Sequence, residues 1–282
     1  MNTINDFAIK QRKYMPVFPK ATGTATPYLP GYPYEDEYPM PAAELHGVQT
    51  HTFFDQVYRY FQDDENIHVG LDNFIYYREG DITKVVAPDV YVVLGAARLP
   101  LRRSFYTWAE GAVPTVVFEF LSDATARQDQ HEKVKVYLQD MGVQEYFIHQ
   151  PDTEKPEEFR GWRCRGPGDI VEIEPDASGG LFSEALNLRL QWEYQPGEEI
   201  RLLRPYLPDG TPISTSIEMQ HLKETAERQA ETEIARRRAA ETRAAEETER
   251  RQHAERIAAE AEQRRQADAA ELERLRAELA KR

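Results

Sequence analysis

Cysteine is almost absent from this chain of 282 residues, which contains only Cys164. A single thiol excludes an internal disulfide framework and any site built from several cysteines, such as a zinc finger or an iron–sulfur cluster. No stretch approaches the roughly 20 consecutive apolar residues that span a bilayer. The first residues also lack a basic head followed by an apolar run, so no secretory signal is expected. These absences predict a cytoplasmic protein without a membrane partner.

Basic charge is also scarce over most of the chain. Residues 1–216 hold 20 Lys and Arg against 33 Asp and Glu, whereas residues 217–282 hold 15 against 16. The strongly acidic first region argues against broad, charge-driven binding of nucleic acid, which normally uses a basic surface. It leaves open a local positive cleft, or a site at which bound cations reverse the local sign.

Several common catalytic motifs are missing as well. The chain has no Gly-x-Ser-x-Gly nucleophile elbow and no glycine-rich phosphate loop. His131 and Glu132 begin like a zinc-metalloprotease motif, but Lys135 stands where the second histidine is needed. Cys164, next to Trp162 in a predicted strand, has no visible activating partner and is interpreted as an inert thiol. The catalytic chemistry must therefore be sought in other residues.

Composition divides the chain into four segments. Residues 1–41 are rich in proline and tyrosine and predict an extended arm, and residues 42–206 predict a globular domain. A linker at 207–216 leads to a long charged helix at 217–282. The arm is interpreted as a strap whose tyrosines pack into grooves of the domain, and a recognition peptide for a partner is the alternative.

Alternating helical and strand patterns predict an α/β domain with one mixed central sheet flanked by helices. A first helix is predicted at residues 43–61 and a second at 126–141, where Gly142 stands in the position that a helix C-terminus favours. The β-rich runs are residues 74–77, 90–94, 115–121 and 145–148, followed by hairpins over 158–190.

The last segment contains no glycine and no proline, and its Ala, Glu, Arg and Gln residues are strong helix formers. One helix of about 65 residues would be about 100 Å long. Its apolar seam is thin because alanine buries little area, so a coiled coil would be marginal. A solvated single helix and a self-associating coiled coil, which would make the protein a homo-oligomer, both stay open.

Two carboxylates interrupt the apolar strands of the predicted domain. Asp89 stands at the head of the strand that begins at Val90, and Glu119 lies inside the apolar run at 115–121. A carboxylate inside such a strand is costly to bury unless it is paired or binds a metal. If the two strands are neighbours, both carboxylates can converge on one cation, and such hard oxygen ligands suit Mg²⁺ or Mn²⁺.

The second predicted helix supplies the polar residues that follow Glu119. Asp129, Lys133 and Tyr137 recur at intervals of four residues and therefore lie on roughly one face of the helix. A lysine on this face could reach the carboxylates. The alternative is an ordinary surface ion pair between Asp129 and Lys133, with Tyr137 in the core.

The order of these motifs resembles the Uma family of restriction endonuclease-like proteins, within the PD-(D/E)XK nuclease superfamily. The resemblance covers about residues 42–206. The stretches that carry it are residues 86–93, 117–122, Asp129-x-x-x-Lys133-x-x-x-Tyr137, 142–147, 180–183 and 186–190. It implies a restriction-endonuclease-like fold, to which the terminal helix is an appendage.

The resemblance also implies roles for individual residues. Asp89 and Glu119 become the metal-binding acids, joined by the main-chain carbonyl of Phe120. The superfamily's usual lysine follows the second acid by two residues, where this chain has Leu121. The resemblance therefore gives the role of that lysine to Lys133, with Lys135 as a less favoured substitute. Asp129 would position Lys133. Glu44 would be an additional acid from the first helix.

The function implied is metal-dependent hydrolysis of phosphodiester bonds in nucleic acid, with DNA as the expected partner and Mg²⁺ or Mn²⁺ as the cofactor. Two alternatives stay open. The first is a catalytically silent nuclease fold that serves as a binding or scaffold module assembled through its helix. The second is an interaction protein whose function lies in the helix itself.

Overall fold

The structure is a computed structural model, which describes Met15, Thr26 and residues 29–33, 43–122, 132–166 and 168–279, with side chains as far as residue 277. It contains two compact units, Met1–Ile217 and Glu218–Arg282. In chain order the elements are α1 (Glu44–Tyr60), β1 (Ile67–Leu71), β2 (Ile75–Tyr76), β3 (Val85–Val86), β4 (Val90–Leu94), β5 (Phe105–Tyr106), α2 (Thr107–Glu110), β6 (Val116–Phe120), a π-helical segment (Val136–Met141), β7 (Glu145–His149), β8 (Phe159–Gly166), β9 (Asp169–Glu172), β10 (Leu181–Ser183), β11 (Leu188–Gln195), β12 (Ile200–Tyr206) and α3 (Ser216–Leu279).

A mixed six-stranded sheet in the order β1-β4-β6-β7-β8-β9 forms the centre of the first unit. Its strands pair antiparallel except for β6 and β7, which are parallel. A parallel pair needs a crossover connection, because the chain has to return to the same end of the sheet. The described part of this crossover is helical from residue 132 and continues into the π-helical segment.

The two faces of the central sheet bury different hydrophobic clusters, because successive side chains of a strand point to opposite faces. On one face, Val116 and Phe118 of β6 cluster with residues of α1 and of the β10-β11-β12 sheet. On the other face, Val117 clusters with Tyr137 from the π-helical segment. Glu119 follows the same alternation as Val117, so its carboxylate lies on the face that the crossover covers.

The helix α1 is fixed to the domain by buried amide side chains as well as by its apolar stripe. Gln49 donates from Nε2 to the Leu203 carbonyl over 3.2 Å, and its Oε1 accepts the Leu203 N–H at 2.7 Å. Phe53 and Val57 are fully buried in the cluster beneath the helix. These contacts hold the first turns of α1 in one position relative to the central sheet.

The described residues of the predicted arm pack on the domain. The Tyr32 ring lies 4.9–5.5 Å, centroid to centroid, from the rings of Tyr76, Tyr106 and Trp108. The Tyr32 hydroxyl accepts the Gly80 N–H at 2.8 Å. These contacts agree with the interpretation of the arm as a strap. Three further tyrosines of the arm, Tyr28, Tyr34 and Tyr38, lie outside the described residues.

The helix α3 runs for 64 residues, which is about 96 Å at 1.5 Å per residue. Its side chains are exposed over nearly the whole described length, including Leu222, Ile234 and Leu272. Ion pairs one turn apart, such as Glu233 with Arg237 at 3.3 Å, support it. The predicted long helix is therefore confirmed, whereas self-association into a coiled coil stays a prediction. Among the described helices, none combines the length and apolar character that crossing a bilayer requires.

The fold class predicted from the sequence, a mixed central sheet flanked by helices and followed by a long helix, is confirmed. The first helix and the four β-rich runs named above all contain regular elements close to their predicted bounds. The predicted second helix is helical from residue 132, and its earlier part lies outside the described residues. The strand β1 is absent from the sequence prediction, although Ile67, Val69 and Leu71 alternate with His68 and Gly70 as a strand requires.

Two buried histidines predict that the fold loses stability in mild acid. Burial lowers the pKa of His68 and of His149 to about 4, from an ordinary value of 6.5. Arg102 donates from Nη1 to Nδ1 of His68 over 3.1 Å, which requires a neutral ring. The unfolded chain takes up these two protons below about pH 6.5, whereas the folded chain resists them until about pH 4. The stabilisation is therefore full above pH 6.5 and is lost as the pH falls through this window.

We expect the two histidines to lower the free energy of unfolding by about 2–3 kcal/mol between pH 7 and pH 5.5. Urea unfolding at both pH values measures this, and the His68→Gln/His149→Gln variant should lose that part of the pH dependence. The exposed His51 offers a control, because His51→Gln should leave the dependence unchanged. An identical pH dependence in the wild type and the double variant would contradict the expectation.

Candidate active site

Asp89 and Glu119 are brought together by the pairing of β4 with β6. These strands are antiparallel, with Val90 opposite Phe118. The same register continued by one residue places Asp89 opposite Glu119. The condition that the sequence left open, that the two strands are neighbours, is therefore met in the structure. Asp89 and Glu119 are both largely buried, with side-chain exposures of 14% and 4%.

The Glu119 carboxylate is held by two donors from the crossover segment. Lys133 donates from Nζ to Oε1 over 2.8 Å, and the Tyr137 hydroxyl donates to the same oxygen over 2.7 Å. Lys133 and Tyr137 are one helical turn apart, so both point from one face of the segment towards the sheet. A buried carboxylate costs free energy unless it is paired, and these two donors supply the pairing.

The two candidate lysines of this segment, Lys133 and Lys135, differ in burial. Lys133 is largely buried against Glu119, whereas Lys135 is exposed to solvent. The structure therefore brings Lys133, and not Lys135, to the carboxylates. Asp129, which was predicted to position the lysine, lies outside the described residues.

The Asp89 carboxylate is held by groups from β6 and α1. Its Oδ2 accepts the main-chain N–H of Phe120 at 2.6 Å, which ties the head of β4 to the end of β6. Its Oδ1 lies 3.1 Å from Nε2 of His46, in the first turn of α1. Both oxygens of Asp89 are thus oriented by groups from two different elements.

His46 is a residue of this site that was not predicted from the sequence. The resemblance implied an additional acid from the first helix, Glu44, but Glu44 is exposed and His46, two positions further on, makes the contact. The only sequence signal was a histidine within the first turn of a predicted helix, which is a weak one. His46 and Asp89 are 43 residues apart in sequence, so their contact depends on how α1 docks on the sheet.

The electrostatics of the site favour a cation near His46. The hydrogen bond to Asp89 raises the pKa of His46 above its ordinary value, and burial opposes this increase. The negative charges of Asp89 and Glu119 raise the same pKa further. Both carboxylates therefore act on the His46 ring.

The donor chemistry of this region fits a hard divalent cation. In the part of the chain that the structure describes, no group of three or more His, Cys, Asp and Glu side chains could hold a metal ion. Mg²⁺, however, keeps several of its waters and is usually held by one or two carboxylates together with substrate phosphates. Asp89 and Glu119 provide these two carboxylates.

Comparison with known proteins gives the family. Residues 23–178 match the model of the Uma2 family, whose description reads "Putative restriction endonuclease". This match covers more than half of the chain. The chain belongs to the Uma2 family. The resemblance noted from the motifs is thereby confirmed, and the Uma2 match contains Asp89, Glu119 and Lys133.

Other comparisons add little to the Uma2 assignment. Among solved structures, one similar chain is described as "a putative nuclease belonging to DUF820" from Anabaena variabilis, with 16% sequence identity. The alignment covers 49% of this chain and 72% of that chain, with a TM-score of 0.36. No curated protein matches the chain.

Proposed function

We propose that this Uma2 protein is a metal-dependent endonuclease that hydrolyses phosphodiester bonds of nucleic acid, with DNA as the expected substrate. The observation that carries the proposal is the contact of Lys133 with Glu119 at 2.8 Å, on the strand that pairs with the head of β4 at Asp89. Two carboxylates and one ammonium group in a shared, largely buried position are a set of groups that can support metal-assisted hydrolysis of a phosphodiester.

In this proposal Asp89, Glu119 and the main-chain carbonyl of Phe120 would hold one Mg²⁺ or Mn²⁺ ion. When bound, such an ion polarises the scissile phosphate and lowers the pKa of a coordinated water. The protein's own part is to fix the ligands. The N–H of Phe120 orients Asp89, and the hydroxyl of Tyr137 orients Glu119.

Lys133 is proposed as the catalytic cation. Its ammonium group is held close to the carboxylates by Glu119, so it is positioned before substrate arrives. A preorganised positive charge stabilises the negative charge that develops on the phosphate oxygens in the transition state, at little cost in reorganisation. The same group can orient the attacking water. The positioning role of Asp129 stays a prediction.

Metal titration tests the proposal most directly. We expect isothermal titration of Mg²⁺ and Mn²⁺ to show one carboxylate-dependent site in the wild type and none in the Asp89→Ala/Glu119→Ala variant. A matched control is Glu132→Ala/Asp140→Ala, which removes two exposed acids from the crossover region and should bind metal as the wild type does. Equal heats in the wild type and the Asp89→Ala/Glu119→Ala variant would contradict the proposal.

The catalytically silent scaffold is the second candidate function. Two observations favour it: the strongly acidic composition of residues 1–216 and the exposed helix α3, which offers a long surface for assembly. A scaffold requires no metal at the site. It would be favoured if neither the wild type nor any of the variants binds Mg²⁺ or Mn²⁺. The cytoplasmic location and self-association through α3 stay predictions in either case.

A further inference from the structure

The groups of the candidate active site lie in a recess of the protein surface. The side chains of Asp89, Glu119 and Lys133 are 14%, 4% and 16% exposed. Tyr137, which donates to Glu119, is fully buried. A phosphate that contacts these groups therefore has to leave the surrounding surface and enter the recess.

The rim of this recess, formed by Asp72 and the loop 150–158, carries negative charge. Asp72 is exposed at the end of β1, where its N–H lies 3.2 Å from the main-chain oxygens of Pro88 and Asp89. Because β7 runs parallel to β6, the loop 150–158 leaves the sheet at the edge where β6 ends. This loop contains four acids and one base, namely Asp152, Glu154, Glu157, Glu158 and Lys155. The rim therefore repels a polyanion that approaches the recess.

Paired and unpaired nucleic acid respond differently to these two features. A duplex carries about one negative charge per 1.7 Å of its axis, about twice the density of one strand, so a negative rim disfavours the duplex more. A duplex is also stiff, with a persistence length of about 50 nm, and does not bend a few of its phosphates into a recess. A single strand is flexible and can do so at a lower electrostatic cost.

We propose that the substrate of this site is single-stranded nucleic acid, or an unpaired segment within a duplex, and that a fully paired duplex is a poor substrate. The inference rests on the proposed function and adds the class of substrate. It also decides which form of a plasmid is cleaved. Negative supercoiling favours separation of the strands, so a supercoiled plasmid offers unpaired segments that relaxed DNA lacks.

Cleavage of three DNA substrates of one sequence tests this inference. The substrates are a labelled single strand, its fully paired duplex, and a duplex with an unpaired bubble at its centre. With Mg²⁺ or Mn²⁺ present, we expect the full-length protein to cleave the single strand and the bubble at least about 30-fold faster than the paired duplex. Asp89→Asn protein, assayed beside the wild type, separates cleavage by this site from cleavage by a contaminating nuclease.

Fluorescence anisotropy gives a second measurement that does not depend on cleavage. In Lys133→Met the loss of the ammonium group is expected to slow hydrolysis, so binding can be measured with intact substrate. We expect this variant, with Mg²⁺ present, to bind the labelled single strand at least about tenfold more tightly than the paired duplex. Equal affinities for the two forms would contradict the inference.

The double variant Glu154→Gln/Glu157→Gln tests the contribution of the rim, because it removes two exposed negative charges. We expect the ratio of single-strand to duplex cleavage to fall by at least about threefold. Asp63→Asn/Glu65→Gln is the matched control, because these two exposed acids precede β1, at the opposite end of this strand from Asp72. The control should keep the wild-type ratio. An unchanged ratio in Glu154→Gln/Glu157→Gln would overturn the electrostatic part of the inference.

The three substrates also separate failure of the inference from failure of the proposed function. If the paired duplex is cleaved as fast as the single strand, and both activities are lost in Asp89→Asn, the site accepts a duplex and the inference alone is wrong. If none of the three substrates is cleaved in an Asp89-dependent way, the proposed function fails and the inference fails with it.

Discussion

The Asp89→Asn variant is expected to lose metal-dependent cleavage of nucleic acid by at least about 1,000-fold while keeping its fold. Asparagine has nearly the shape of aspartate, and its carbonyl oxygen can still accept the N–H of Phe120, which holds β4 to β6. What the substitution removes is the negative charge that a divalent cation requires. Conversion of supercoiled plasmid DNA to nicked or linear forms, with Mn²⁺ or Mg²⁺ present, measures the rate.

Asp140→Asn is the matched control for this experiment, because Asp140 is an exposed acid at the end of the crossover segment. It should cleave as the wild type does. Circular dichroism and a urea unfolding curve establish that the Asp89→Asn protein is folded. Cleavage by folded Asp89→Asn at the wild-type rate would exclude Asp89 from the active site, whatever the metal affinity.

Lys133→Met is expected to separate metal binding from catalysis. We expect cleavage to fall by about 100- to 1,000-fold, because a preorganised cation next to the developing charge is lost. Metal affinity should be retained or should increase, since the ammonium group that now pairs with Glu119 no longer competes with the ion. Plasmid cleavage and isothermal titration of Mn²⁺ on the same preparation measure both quantities.

The chain supplies its own control in Lys135, two residues further on and exposed. Lys135→Met makes the same chemical change without touching Glu119 and should leave cleavage and metal affinity unchanged. Because Lys133→Met also breaks a largely buried ion pair, some loss of stability is expected, and the assays should be run well below its unfolding temperature. If Lys133→Met cleaves normally and Lys135→Met does not, the assignment of the lysine is wrong.

The sequence predicted much of this site because its signals are local. An apolar strand with a carboxylate in its middle is unusual enough to identify Glu119, since burial of the charge requires compensation. Lys133 and Tyr137 were placed on one face by their spacing of four residues, which is about one turn of an α-helix. The structure shows both of them on Oε1 of Glu119.

Other parts of the site have no local signal. Asp89 follows a proline at the start of a strand, a pattern that also occurs in ordinary turns. Its pairing with Glu119 depends on the register of β4 against β6, which the connecting residues do not encode in any short motif. His46 was missed for the same reason. Its place beside Asp89 is decided by the docking of α1 on the sheet, through contacts such as Gln49 with Leu203, 154 residues apart.

The sequence by itself thus determined the division into a mixed α/β region and a long helix, the acid inside an apolar strand, and the family resemblance. The first two follow from hydrophobic periodicity, helix propensity and the cost of burying charge, all of which act over a few residues. Only the tertiary structure decided which lysine reaches Glu119, which strand faces Asp89, and that His46 contacts Asp89. Those facts depend on strand register and helix docking, which are set by packing between residues far apart in the chain.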